Sequence, residues 1–193
     1  PPSPPPSSPP PPNVFASRAD LLTARDAWCA NPTAAAATYG HISTWVVSAV
    51  TDLSFVFCAN SDSGPDCNPA CSSFNDDISG WDVAQVTTLY HTFYQASAFN
   101  QNLNAWDTSQ VTTLQSTFYQ ASSFNQALNA WDVGQVTNMY RTFYDTIALS
   151  DCHKAAIHAA WSSANPKWSC SGDLYSGCGD YGSWGGIGFC PPS

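Results

Sequence analysis

The chain has 193 residues, of which 10% are charged, and its formal net charge is −9. An ordinary globular domain carries ~25% charged residues; here the polar surface must come from Ser, Thr, Asn and Gln, and all 14 acidic residues are Asp. Five scattered basic residues leave no footprint for nucleic acid or an anionic membrane surface, and no apolar run reaches the roughly 18 residues that would span a bilayer.

Residues 1–12 are Pro and Ser alone. Such a segment forms an extended polyproline II arm, ~37 Å long at about 3.1 Å per residue, that cannot join a core. Its units Ser3-Pro4-Pro5-Pro6 and Ser8-Pro9-Pro10-Pro11-Pro12 resemble extensin-like hydroxyproline-rich glycoproteins. The resemblance implies hydroxylation at Pro4, Pro5, Pro6, Pro9, Pro10, Pro11 and Pro12 and O-linked glycans there and at Ser3 and Ser8; the bland reading is a bare spacer. Pro191-Pro192-Ser193 repeats Pro1-Pro2-Ser3, as if the chain were one module of a longer string. The start without Met fits a processed chain or a piece of one.

Ser17 is placed to cap a helix with Leu21, Leu22, Ala24 and Trp28 on one side, ending before Asn31-Pro32. Residues 17–40 are expected to cap the domain that follows. Residues 41–73 hold a degenerate repeat copy, with Trp45, Val50, Leu53 and Phe57 at the repeat's spacings. From Phe57 to Phe74 is 17 residues, where the equivalent step from Phe93 to Phe99 is six, so 11 residues are inserted. Asp62, Gly64, Pro65, Asp66 and Pro69 predict that the insertion protrudes as a loop.

Residues 74–148 contain three copies at an offset of 25: Phe74-Asn75, Phe99-Asn100 and Phe124-Asn125 open them, and Trp81-Asp82, Trp106-Asp107 and Trp131-Asp132 follow. A period of this length marks a solenoid, each copy burying its apolar face against its neighbours. Val86, Leu89, Phe93 and Ala96, at i, i+3, i+7 and i+10, predict a helix in each copy. Asp82 with Gln85, and the equivalent pairs, predict its N-cap. The short segment from Phe74 to Ile78 reads as a strand stacking into a narrow parallel sheet.

The pattern Phe-Asn-Gln-x-Leu-x-x-Trp-Asp-x-x-x-Val-Thr-x-Met-x-x-x-Phe resembles the repeat of BspA-like leucine-rich-repeat surface proteins, a repeat also known as a domain of unknown function in mycoplasma lipoproteins. Gln85, Gln110 and Gln135 stand where that family often has Asn, and most Met positions are Leu. The resemblance implies a secreted or surface location, a right-handed strand–helix solenoid and binding or scaffolding roles, with no catalytic residues. The expected fold is therefore an α/β repeat: a short leucine-rich-repeat-like strand–helix solenoid of about four coils between an N-terminal helical cap and a disulfide-rich C-terminal cap.

In residues 149–193, Ser150-Asp151 can cap a helix stopped by Asn165-Pro166, and a Gly-rich tail follows. Eight Cys read as four disulfides in an oxidising compartment. The expected pairs are Cys152 with Cys170 and Cys178 with Cys190, while Cys29, Cys58, Cys67 and Cys71 pair among themselves. Zinc at Cys58, Cys67, Cys71 and His91 is the rival, and it lacks a Cys-x-x-Cys.

Tyr94, Tyr119 and Tyr144 with Gln95 and Gln120 predict an exposed row suited to sugars or another protein, and Tyr181 and Trp184 extend the candidate assembly or ligand face. Stacked Asp82, Asp107 and Asp132 are read as caps before a calcium ladder; Trp81, Trp106 and Trp131 as core before a sugar-binding row; Thr92, Thr117 and Thr142 as helical before an ice-binding face. No catalytic, cofactor or metal residues are assigned, and His153 and His158, five apart, do not share a helical face. The expectation is an extracellular or cell-surface structural module, not an enzyme, that self-associates head to tail through its glycosylated arm into a filament. A monomeric adhesion or carbohydrate-binding module is the alternative.

Overall fold

The computed structural model describes residue 11 and residues 13–165. Three helices frame the repeats: α1 (Arg18–Ala30), α2 (Pro32–Tyr39) and α3 (Asp151–Ala164). Ser17 caps α1 by accepting the Asp20 N–H, and Asn31 both ends α1 and caps α2 by accepting the Ala34 N–H. Ser150 accepts the His153 N–H at the start of α3.

Between α2 and α3 the strand–helix coil expected from the sequence is absent. Among the described residues no repeat copy contains a helix or an extended strand; three short 3₁₀ turns, Ile42–Thr44, Ser61–Ser63 and Pro69–Ser73, all precede the three regular copies. The segment read as a strand makes no bridge. The four parallel bridges lie elsewhere, at Val14 with Val46 and along Asp52, Thr88, Thr113 and Asn138, inside the segments read as helical. The leucine-rich-repeat-like reading is thereby overturned.

The physical reason lies in how the backbone uses alternate amides. Within the second copy the Thr92, Tyr94 and Ala96 N–H groups donate three residues back, to Leu89, His91 and Phe93. The intervening Leu89, His91, Phe93 and Gln95 N–H groups donate along the stack to Thr113, Gln115, Thr117 and Tyr119. Successive turns of three residues thus put the buried side chains of Val86, Leu89, Phe93, Ala96 and Phe99 three or four apart, a spacing that a helix shares. Residues with left-handed φ break any helix twice per copy: His91 and Gln95, Ser116 and Gln120, Arg141 and Asp145. With half the amides spent inside the coil, neither a helix nor a strand ladder is complete.

Side chains stack in register through the copies. Phe57, Phe93, Phe118 and Phe143 form a column with centroids 5.6, 5.3 and 5.5 Å apart. Buried Trp81, Trp106 and Trp131 donate their indole N–H groups to Ile42, Ile78 and Leu103 of the preceding copy. An Asn ladder explains the Phe-Asn-Gln motif: the Asn75 and Asn100 side-chain oxygens accept the Asn100 and Asn125 N–H groups at 2.8 Å. Ser150 takes the same seat on Asn125, and Trp161 of α3 stacks on Trp131 at 6.1 Å with its indole N–H on Leu128. Helix α3 therefore closes the stack by supplying two repeat residues from a non-repeat element.

The other end is closed by arginine. The carbonyls at Tyr90, Thr92 and Tyr94 accept from Phe55, Phe57 and Ala59 of the degenerate copy, but the equivalent carbonyls there, Ser54, Val56 and Cys58, have no preceding copy. Arg18 donates to Ser54, buried Arg25 donates to Phe55, Val56 and Asp66, and the Asn68 N–H donates to Cys58. The insertion is thus folded onto α1 rather than protruding, with Asn68 on Asp26 at 2.8 Å and Arg18 on Asp66 at 2.9 Å. Disulfides Cys29–Cys71 and Cys58–Cys67 fasten it. The Asp52 to Thr88 bridge steps 36 residues instead of 25, and the difference of 11 is the insertion's length.

Candidate functional site

The Tyr row exists, and left-handed backbone builds it. A left-handed residue follows each Tyr, at Gln95, Gln120 and Asp145, so the coil turns sharply and leaves each ring over the ring of the next copy. Tyr94 and Tyr119 stack at 4.5 Å and 3°, and Tyr119 and Tyr144 at 4.8 Å and 8°. Beside them Gln95 donates to Gln120 at 2.7 Å, and Gln120 donates to Asp145 at 3.1 Å. Burial, with Tyr94 and Tyr144 on either side, raises the Tyr119 phenol above its ordinary pKa.

Two cationic or titratable residues flank the row. His91 stacks between Tyr90 at 4.0 Å and Tyr94 at 4.5 Å, with the Phe55 ring edge-on at 5.2 Å. Its Nδ1 is buried without a hydrogen bond, and desolvation lowers its pKa to about 4. The Arg141 guanidinium lies 4.9 Å from the Tyr140 ring centre and 5.1 Å from that of Tyr144. Sequence reasoning missed Tyr90, Tyr140 and Arg141, and weighed His91 only as a zinc ligand, because their repeat positions vary: the third copy has Gln115 and Ser116 there. Since each Tyr spends its ring faces on its neighbours, the row offers edges and hydroxyls to a partner, which suits hydrogen bonding better than stacking on a sugar.

The remaining candidates fall to structural roles. Asp82, Asp107 and Asp132 accept N–H groups two residues on, from Ala84, Ser109 and Gly134, so they close turns and cap no helix. The Ser109 hydrogen bonds hold the Asp107 carboxyl below the usual range. Thr92, Thr117 and Thr142 are buried, donating to Leu53, Leu89 and Leu114 of the preceding copy, so they present no face to ice. The zinc alternative is excluded by Cys29–Cys71 and Cys58–Cys67. Cys152 is disulfide-bonded as well. The predicted pairs of Cys152 with Cys170 and Cys178 with Cys190 lie outside the described residues, as do Tyr181, Trp184, Ser3, Ser8, Pro4, Pro5, Pro6, Pro9, Pro10 and Pro12. Pro11 is exposed, and its carbonyl accepts the Val14 N–H at 3.0 Å.

The family described as Mycoplasma protein of unknown function, DUF285, matches residues 31–156, well over half of the chain. The chain belongs to the DUF285 family. Its match begins at the Asn31 cap of α2 and ends inside α3, so α1, with Arg18 and Arg25, lies outside it. No curated protein and no solved structure matches the chain. The disulfides fit a secreted or surface protein, and among the described residues no helix is long and apolar enough to cross a membrane.

Proposed function

We propose that this DUF285 chain is an extracellular structural module, a rigid unit of a surface fibril or wall layer that associates with further copies through its Pro-rich arm. The supporting observation is the chemistry of the N-terminal end. Arg18, Arg25 and Asn68 occupy the carbonyl edge on which another coil would otherwise pair, so copies cannot join there by extending the backbone ladder. Residues leading from the arm are anchored beside that edge: Val46 exchanges backbone bonds with Asn13 and Phe15. On this reading the arm, entering at a fixed root, acts as the joint. Its extensin-like composition supports hydroxylated, O-glycosylated prolines.

A second reading, a monomeric adhesion or carbohydrate-binding module, draws on the strip of Tyr edges, Gln amides and Arg141. Negative-stain electron microscopy of native, unreduced material separates the two. Regular filaments that vanish when residues 1–12 are removed are expected for the first; dispersed particles that bind a glycan array with or without the arm would overturn it.

A further inference from the structure

The arm's root borders a groove of about 330 Å³ whose lining includes Pro11, Val14, Phe15, Thr23 and Tyr39. Phe15 is buried and packs 4.9 Å from Trp45, so the floor is fixed. Tyr39 stands half-exposed above it, 6.4 Å from Phe15 and 6.2 Å from Trp45, and among the described residues its hydroxyl has no hydrogen-bond partner. Thr23, exposed on α1, forms part of the rim. An aromatic wall with a phenol donor over an apolar floor is the chemistry that receives polyproline II, whose ring faces are apolar and whose carbonyls lack internal partners.

We propose that this groove binds the Pro-rich arm of a second copy, an inference that rests on the self-association reading above. A polyproline II sequence is stiff over several residues, and the turn from Pro11 to Val14 makes Pro11 itself part of the groove wall. Doubling back into a groove walled by its own Pro11 needs a sharp reversal within the prolines. An arm arriving from another copy needs none. Because root and groove share one end of the molecule, two copies exchange arms reciprocally. The contact closes on itself as a two-fold dimer, and a fibril would be built from such dimers.

The test uses the full chain, a synthetic peptide of residues 1–12, sedimentation and electron microscopy. A concentration-dependent dimer that the peptide dissociates is expected, with peptide affinity falling about tenfold in Thr23→Arg, which obstructs the rim without touching the core. Tyr39→Phe, which keeps the ring and removes the donor, is expected to weaken the peptide about threefold. Peptide-sensitive dimers without fibrils would support the groove and sink the fibril reading. Fibrils that persist unchanged in Thr23→Arg would overturn the groove and leave the fibril reading standing. A monomer at all concentrations, with the arm cross-linked into its own groove, would overturn arm exchange.

Discussion

The two ends of one hydrogen-bond ladder make a useful comparison. In the regular copies each carbonyl edge meets an identical neighbour: four backbone donors, an Asn side chain and an indole N–H recur at every interface. At the N-terminal end the same edge meets two arginines, an inserted loop and a disulfide-fastened turn. The periodic half spreads stability over many equivalent bonds, and the cap concentrates it in single residues. Damage should therefore be graded by position, with unique residues mattering more than repeated ones.

The largest effect is expected from Arg25→Leu, which strips donors from the Phe55, Val56 and Asp66 carbonyls. Each buried carbonyl left without a partner costs ~1–3 kcal/mol, so urea unfolding should show a loss of about 3–5 kcal/mol. Arg141→Leu, on the Tyr face, is expected to stay within ~0.5 kcal/mol as a surface change. Equal losses for the two would break the comparison. Next comes Cys29→Ser with Cys71→Ser, which opens a link of 42 residues between α1 and the loop. A loss of about 2–4 kcal/mol in the same assay is expected, together with proteolytic nicking between Asn60 and Asn68.

Asn100→Ala removes the acceptor for the Asn125 N–H and the Gln126 amide, and about 1–2 kcal/mol is expected. A loss as large as that of Arg25→Leu would show that the periodic half is not redundant.

His91 sets a pH dependence. Its pKa is about 4 in the fold, against 6.5 for an ordinary histidine, so between those values the unfolded chain takes up a proton that the folded chain refuses. Stability from this group is complete above pH 6.5, declines as pH falls, and reaches its floor near pH 4. In His91→Phe that decline should be missing, so the difference between the two stability curves should isolate it. The variant should fold, because Phe55 already occupies the equivalent left-handed position in the degenerate copy.

Much of this was legible in the residues. Ser17 and Ser150 announced their helices because a cap is a local bargain between one hydroxyl and one amide. The 25-residue offset placed Trp81, Trp106 and Trp131 in the core, and the Tyr and Gln rows on neighbouring copies. The conformation of the coil was not legible, since buried residues three or four apart fit both a helix and a chain of three-residue turns. What separates them is the left-handed backbone at non-glycine residues such as His91, Gln95 and Arg141, which no local preference signals. The backbone bonds between copies stabilise those positions, and they form only once the copies are stacked.

Sequence alone determined the repeat, its register, the inserted residues and the capped helices, because periodicity and capping are written in side chains along the chain. Tertiary structure alone decided that alternate amides run between copies, that Arg18 and Arg25 complete the ladder's open edge, and that Cys29 finds Cys71 and Cys58 finds Cys67. Those outcomes depend on which carbonyls and sulfurs meet after the chain has closed on itself, and a linear order of residues does not record that.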